Sequence, residues 1–484
     1  MDIEALLRRG EESKALRRRN RIERVAKSDA GASSTAGSRL TRRELLRRSA
    51  TVAAATGLAG SGAGRFFYGP LKFKGKELKG DLSIIQWAHF VPAYDQWLGD
   101  YAKAWGEKNN VQVTIDHINN QLLQSRAAAE VATQSGHDLF EHLAPPASFE
   151  DQVIDHAAIV QEITQKVGKI GSLAKRSTYN TKTKKWFGLA HGYTPNPVVY
   201  RHDYWNGVGT APYTWDDVLL AAPKLKAAGH PIGIGMSNEI DSNMALMSLM
   251  MCFGSYIQDE HARVTINSKQ TVQALNFMAS LYERGMTSEV FGWVASSNNN
   301  FIYSGKGSLI VNPISATRTP ENAGMPFSDD LYIAPIPKGP VQRAGLEGLI
   351  STYTIWKFAK NKEAAAQFLV DLVTHYNEVF DNSKFFYFPG FPGSVSNIRH
   401  KVATDKHRPH GKYGVLTTIA KKYTRNVGYP GTSNAAIDEI FYKYLIPQMF
   451  AEVAQRKLSA TDAARSAERE LKDIFGKWRR LGKI

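Results

Sequence analysis

The chain has 484 residues and a hydrophobic content of 43%, so we expect a globular protein of two or three lobes rather than a single core. Its net charge of +16 is unevenly divided: residues 1–64 carry 14 Lys/Arg against 7 Asp/Glu, or +7, and the remaining residues carry the other +9 without a dense basic run. Nucleic-acid binding is therefore not required to explain the charge, and one cysteine, Cys252, excludes an intrachain disulfide.

The first seventy residues carry an export pattern. Thr41–Arg47 reads TRRELLR and precedes a weakly apolar stretch at Ala50–Gly64, an order that resembles a twin-arginine signal. The alternative is a basic amphipathic helix on the protein surface. The resemblance implies that residues 1–64 engage the twin-arginine translocase and that the product is soluble in the periplasm. No apolar segment reaches spanning length, so we do not expect an integral membrane protein.

The stretch 81–116 predicts a β-α-β unit. An apolar run over 82–85 suits a buried strand, aromatic residues at helical spacing predict a helix over 93–108, and alternation from Val111 predicts a second strand. Ligands of such units collect beyond the carboxyl ends of the strands. The first strand ends in Trp87, His89 and Phe90, which we take as candidate ligand-binding residues. No Gly-rich phosphate loop lies there, which argues against a nucleotide.

The order of these motifs resembles a known family. A strand followed by W-x-x-F-x-P at Trp87–Pro92, an aromatic helix and a V-x-V strand is similar to the extracellular solute-binding proteins of ABC importers, carbohydrate-type family 1. The resemblance implies an α/β periplasmic-binding-protein type II fold, with two lobes joined by a multi-crossing hinge around a ligand cleft. One lobe would comprise 65–192 and 350–385, the other 193–349 and 386–484. It also implies a monomer without a cofactor, a small carbohydrate as ligand and ABC permease subunits as partners.

Later motifs extend the resemblance along the chain. Gly136–His142 is similar to the family's third strand, which makes Glu141 and His142 candidates at its end. Residues 186–203 resemble the crossing between lobes, with Gly192, Pro195 and Pro197 as a hinge. The start of the next helix, at 212–217, predicts Thr214 as its N-cap.

The second half supplies the remaining candidates. The strand over 306–312 resembles one that ends in the family's cleft, so Asn312 and Arg318 are candidates by position. The Gly-rich stretch 345–353 resembles the return crossing, where Glu347, Gly348 and Tyr353 are candidates. Residues 385–391 and 428–431 interleave rings with Gly and Pro, which predicts loops rather than core. Aromatic rings on such loops stack on flat ligands, which makes Phe391 and Tyr429 candidates.

We find no motif of a hydrolase or metalloenzyme, so a binding protein is favoured over an enzyme. Four alternatives remain. A metal would need His89, His142 and His191 to converge, and a polyamine would need Asp138, Glu141 and Glu347 to form an acidic cage. An anionic sugar would draw on Arg318 or Arg343. An exported carbohydrate-active enzyme is a different class, and it would consume its ligand.

Overall fold

The structure is a computed structural model that describes residues 77–484. The twin-arginine pattern at Thr41–Arg47 and the whole of the region 1–64 lie outside the described residues. No helix among residues 77–484 is both long enough and apolar enough to cross a membrane.

Strands and helices alternate along much of the described chain. The strands are β1 (Gly80–Trp87), β2 (Val111–Ile118), β3 (Leu139–His142), β4 (Leu189–Tyr193), β5 (Val198–Arg201), β6 (Ile232–Gly233), β7 (Leu309–Val311), β8 (Leu331–Ala334), β9 (Gly345–Leu346), β10 (Ile350–Ile355), β11 (Phe388–Pro389) and β12 (Thr424–Arg425). The helices are α1 (Pro92–Asn109), α2 (Leu123–Thr133), α3 (Ala157–Val167), α4 (Ser172–Thr178), α5 (His202–Gly207), α6 (Trp215–Ala227), α7 (Ile240–Phe253), α8 (Lys269–Gly285), α9 (Ser297–Tyr303), α10 (Ser315–Asn322), α11 (Lys362–Thr374), α12 (Tyr376–Asn382), α13 (Ile398–Ala403), α14 (Val415–Thr418), α15 (Ala435–Tyr442), α16 (Leu445–Ala454) and α17 (Ala460–Arg480).

A six-stranded sheet, here called the large sheet, has the order β11-β4-β10-β3-β1-β2. β1 pairs in parallel with β2 from Gly80↔Val111 to Trp87↔Ile118. Parallel neighbours need a crossover, which α1 provides, so the predicted β-α-β unit is confirmed. Pro92 occupies the first turn of α1, where its missing N–H costs nothing, and Asn110 ends the helix in a left-handed conformation.

A four-stranded sheet, here called the small sheet, has the order β6-β7-β5-β8 and draws its strands from residues 198–334. Its helices include α7, whose residues are almost all buried, and the thiol of Cys252 lies within that apolar helix. Thr214 caps α6 through a capping box with Asp217, as predicted.

Two chain segments connect the sheets, one over 194–197 and one over 345–349. They run side by side, because the Thr194 amide donates to the Leu349 carbonyl at 2.8 Å and the Gly348 amide donates to the Thr194 carbonyl at 2.8 Å. Gly348 permits this approach: a Cβ atom there would lie 2.4 Å from Thr194 Oγ1 and 2.9 Å from Pro313 Cγ. β12 lies beside the second of these segments, since it pairs in parallel with β9.

One expectation about the core was wrong. The sequence pattern predicted that 385–391 is a loop outside the core, yet Phe386, Tyr387, Phe388 and Phe391 are all buried. The glycine and prolines bend the backbone, but the rings of Phe386 and Tyr387 pack against His89, at 4.6 and 5.2 Å between ring centroids. Backbone irregularity therefore did not indicate exposed side chains in this segment.

Candidate functional site

Four strands of the large sheet end at one edge. The register pairs Thr352 with His142, and it pairs Tyr193 with both Ile350 and Phe388, so the ends of β3 and β4 lie beside the beginnings of β10 and β11. β1 runs parallel to β3 and ends at Trp87. Most of the residues selected from the sequence are placed along this edge, as the β-α-β pattern predicted.

Trp87 lies in the interior at this edge, with 1% of its surface exposed. Its indole Nε1 donates to the Tyr387 hydroxyl at 2.9 Å, and its ring centroid lies 4.5 Å from that of His89 and 5.3 Å from that of Phe90. Of these three candidates, only Phe90 is partly exposed. The ring of Trp87 therefore has no face open to a solute.

Glu141 and Tyr353 belong to the same buried network. The Ser351 hydroxyl donates to Glu141, the Trp87 amide donates to Glu141 Oε2 at 3.4 Å, and the Tyr353 hydroxyl donates to Gln86 Oε1 at 3.2 Å. Burial raises the pKa of Glu141 to about 8, so the carboxyl is mainly protonated at neutral pH. The side chains of Glu141 and Tyr353 therefore have hydrogen-bond partners inside the protein.

The three histidines considered for a metal have other environments. His142 Nε2 lies 3.1 Å from Thr354 Oγ1, while the His191 ring nitrogens lie 3.0 Å from the Tyr376 hydroxyl and 2.5 Å from Ser351 Oγ. Burial lowers the pKa of each of these histidines to about 3. Within residues 77–484 no group of three or more His, Cys, Asp or Glu side chains is placed to hold a metal ion.

His89 differs from the other two in one respect. Its Nδ1 accepts from the Val91 amide at 2.8 Å, so its Nε2 carries the proton in the neutral ring. Burial lowers the pKa of His89 to about 3, and its Nε2 has no hydrogen-bond partner among the described residues.

Arg318 lies at the start of α10 on the small-sheet side, and its charge is already compensated. It forms a bidentate pair with Asp405, at 3.3 and 3.0 Å, and a third bond to Glu321 at 3.0 Å. Its guanidinium carbon lies 3.7 Å from the centroid of the Tyr413 ring, and Nε donates to the Lys384 carbonyl at 3.1 Å. Asn312, nearby, is buried and bonded to Asn299. Neither side chain is free to contact a solute.

An open cleft lies further along the same edge of the large sheet, beyond β4 and β11. We call it the basic cleft; it encloses about 1190 Å³. The side chains used below come from α4, the sheet edge, α13 and the segment 421–429: Arg176, Tyr193, Phe388, Arg399, Lys421, Lys422, Arg425, Asn426 and Tyr429. Of the candidate ligand-binding residues selected from the sequence, only Tyr429 lines it. Lys421, Lys422 and Arg425 lie close together just before the Tyr429 loop, and this spacing could have identified three of the other lining side chains.

Two arginines shape the wall of the basic cleft. Arg176 donates from Nε to Asn426 Oδ1 at 3.0 Å and from its terminal nitrogen to the carbonyls of Pro430 and Gly431. Arg425 donates to the carbonyls of Lys422 and Thr424, both at 3.0 Å, and lies 5.3 Å from the Tyr429 ring centroid. Arg176 therefore holds the Tyr429 loop through its carbonyls, whereas Arg425 contacts only the Tyr429 ring and donates to its own segment.

One carboxyl lies behind this wall. Glu347 accepts from the Val427 amide at 3.0 Å and from the Ser177 hydroxyl at 3.2 Å, and it is buried. Burial raises the pKa of Glu347 to about 8. Glu347 is therefore mainly protonated at neutral pH. It links the segment 345–349 to the cleft wall through Val427 and Ser177.

Comparison with known proteins gives one family and a set of similar folds. The model of the family described as bacterial extracellular solute-binding protein matches residues 91–374. A protein of Brucella abortus (strain 2308), described as a candidate binding protein, is 24% identical over 188 residues. That match covers 37% of this chain and 45% of the relative, so the chain spans about half the length of the curated relatives it matches.

Three solved structures have a similar fold, although their sequence identities are low. A sugar transporter from Arthrobacter chlorophenolicus A6 with bound laminaribiose has a TM-score of 0.70 at 16% identity, over 81% of this chain and 99% of that one. Maltose-bound T. maritima MalE3 gives 0.68 at 18%, over 82% and 100%. The GacH receptor of Streptomyces glaucescens GLA.O, studied with acarbose, gives 0.67 at 17%, over 83% and 99%. The described chain therefore has the mixed α/β, type II fold of these proteins.

Proposed function

Because this chain belongs to the family of bacterial extracellular solute-binding proteins, we propose that it binds a sugar or oligosaccharide and delivers it to the permease subunits of an ABC importer. The basic cleft is the observation that supports this proposal most directly. Its volume of about 1190 Å³ reaches beyond the usual range of small-molecule sites, about 300–1,000 Å³, which suits a ligand of several sugar rings.

The chemistry of the cleft suits a carbohydrate. The rings of Tyr193, Phe388 and Tyr429 line it, and an aromatic face packs against the apolar C–H face of a pyranose. Thr417 and Thr418 also line the cleft, and their hydroxyls suit hydrogen bonds with sugar hydroxyls. The three similar structures are named with laminaribiose, maltose and acarbose, which are properties of those proteins.

The rest of the proposal concerns the two lobes of the protein and its location in the cell. We propose one lobe from 65–192 and 350–385 and a second from 193–349 and 386–484, with the segments 194–197 and 345–349 as hinge. Because β11 pairs with β4 of the large sheet, the last of these boundaries moves beyond Pro389. Closure of two lobes around a solute is the movement by which periplasmic binding proteins present their cargo. We further propose twin-arginine export to the periplasm and a monomeric, non-catalytic protein.

A thermal-shift screen tests the proposal, because a ligand that binds the folded state raises the unfolding midpoint. The panel comprises neutral mono-, di- and oligosaccharides, sugar acids and polyamines. We expect a saccharide to raise the midpoint and to be recovered chemically unchanged after denaturation of the protein. A shift with polyamines alone would contradict the proposal. Cleavage of the recovered saccharide would instead identify a carbohydrate-active enzyme.

A further inference from the structure

The charged side chains that line the basic cleft all have the same sign. Arg176, Arg399, Lys421, Lys422 and Arg425 line it, and no aspartate or glutamate among residues 77–484 does. From this asymmetry, and resting on the proposed function, we propose that the solute is an anionic oligosaccharide, with carboxylate or sulfate groups on more than one ring.

The five cations of the cleft lack carboxylate partners among the described residues. Arg176 and Arg425 donate only to an amide oxygen and to backbone carbonyls. Several arginines elsewhere pair with carboxylates: Arg201 with Asp203, Arg263 with Asp259, and Arg318 with Glu321 and Asp405. Here, by contrast, five cations without a carboxylate partner among the described residues line one opening.

A buried carboxyl behind this wall does not cancel that charge. Glu347 accepts from Val427 and Ser177, is buried, and has its pKa raised to about 8 by burial, so it is mainly neutral at pH 7. Glu347 therefore does not offset the attraction of the cations for an anion bound in the cleft.

The placement of the cations points to an extended ligand. Arg176 belongs to α4, Arg399 to α13, and the other three to the segment 421–425, so the charges come from three separate parts of the chain. Lys421, Lys422 and Arg399 are exposed, whereas Arg176 and Arg425 are partly buried. Cations spread over an opening of this volume suit several anionic groups on a chain of sugars better than one compact anion.

The two arginines that the sequence suggested for an anionic sugar are not the ones that supply this charge. Arg318 is held by two carboxylates and lies outside the cleft lining. Arg343 donates to the carbonyls of Ile336 and Tyr213, and it is likewise absent from the lining.

The test is a calorimetric titration with matched saccharides. Three saccharides are titrated into the full chain. They are a trimer of galacturonate, the neutral methyl ester of that trimer, and a trisaccharide of neutral sugars that carries sulfate groups. We expect the galacturonate trimer or the sulfated trimer to bind about tenfold or more tightly than the methyl ester, and the preferred one identifies the anionic group. Raising NaCl from about 20 mM to about 200 mM should weaken that binding and leave neutral binding unchanged.

The double variant Lys421→Gln with Lys422→Gln assigns the effect to the cleft. Both lysines are exposed, so the fold should tolerate the change, and we expect about tenfold weaker binding of the anionic trimer at low salt. Lys103→Gln with Lys457→Gln removes the same charge from exposed positions outside the lining and should change affinity less than about twofold.

The outcomes separate the two proposals. Neutral and anionic trimers that bind equally, or a double variant with unchanged anionic affinity, would overturn the anionic assignment and leave saccharide binding standing. Absence of binding by every saccharide in the thermal-shift panel would overturn both.

Discussion

The indole Nε1 of Trp87 donates a 2.9 Å hydrogen bond to the hydroxyl of Tyr387, 300 residues further along the chain. Trp87 ends β1, the first strand of the large sheet in chain order, and Tyr387 directly precedes β11, the last one. Both are buried, so the bond ties together two distant parts of the chain inside the protein. The residue that the sequence placed first among ligand contacts thus has a structural role in this conformation.

That role predicts a stability effect. Tyr387→Phe removes the hydroxyl and leaves the buried Trp87 Nε1 without an acceptor, which should lower the free energy of unfolding by about 1–3 kcal/mol in urea titrations. Trp87→Phe should cost a similar amount and leave saccharide affinity of the folded protein within about twofold. Weaker binding without a stability change would show that Trp87 contacts the solute after all.

Arg318 predicts a larger loss. Arg318→Met removes the arginine from Asp405 in a largely buried setting, while Glu321 keeps its pair with Lys412, so we expect the free energy of unfolding to fall by about 3–5 kcal/mol. Arg263→Met is the matched control, because its pair with Asp259 lies at the surface and should be worth about 0.2–1 kcal/mol. Equal effects of the two substitutions in urea titrations would refute the structural role of Arg318.

Glu347 predicts a pH dependence with a definite sign. Its pKa is about 8 in the folded protein against an ordinary 4.5, so between these values the folded state binds the proton that the unfolded state has released. Stability therefore falls as pH rises from about 4.5 to about 8, by up to about 1.4 kcal/mol per pH unit for this group. Glu347→Gln keeps the acceptor for the Val427 amide and should remove that slope.

Urea titrations at pH 5.5, 6.5 and 7.5 measure the difference between the parent and Glu347→Gln. Glu283→Gln serves as control, because that carboxylate is 64% exposed and should leave the slope unchanged. Parallel stability curves for the parent and Glu347→Gln would show that Glu347 is ionised in the folded protein.

Tyr429 predicts a binding effect. Tyr429→Ala removes a ring that lines the basic cleft, so we expect calorimetry to show saccharide binding weakened by about 1–3 kcal/mol. Tyr213 is 66% exposed and outside the cleft lining, and Tyr213→Ala is the matched control with unchanged affinity. Unaltered affinity in Tyr429→Ala would remove this ring from the site.

The export pattern gives a prediction outside the described residues. Replacing Arg42 and Arg43 together with lysine should abolish twin-arginine export, so the protein should accumulate in the cytoplasmic fraction. Arg47→Lys with Arg48→Lys keeps the arginine pair and should leave export intact. Normal periplasmic recovery of the Arg42/Arg43 variant would contradict the signal.

Periodicity predicted much of the fold. The alternation that began at Val111 and the aromatic spacing in α1 specified β2 and its crossover, and Thr214 specified the start of α6. These features depend on neighbours in sequence, where pattern and propensity act directly. The wrong expectation, an exposed loop at 385–391, concerned side chains whose contacts lie far away in the chain.

The candidate site was less predictable for the same reason. Position at a strand end predicted that Trp87, Glu141 and Tyr353 lie at one edge of the large sheet, but their burial depends on partners such as Tyr387 and Ser351. The cations of the basic cleft come from three segments that only the folded chain brings together. A basic run such as 421–425 also occurs on ordinary solvated surfaces, so the sequence alone did not distinguish it.

Hydrogen exchange with and without a saturating saccharide tests the central claim most directly. Binding in the basic cleft should slow amide exchange in the segments 171–176 and 421–431, which line or adjoin it, relative to the unliganded protein. Saccharide binding that leaves exchange in both segments unchanged and slows it elsewhere would contradict the assignment of the cleft.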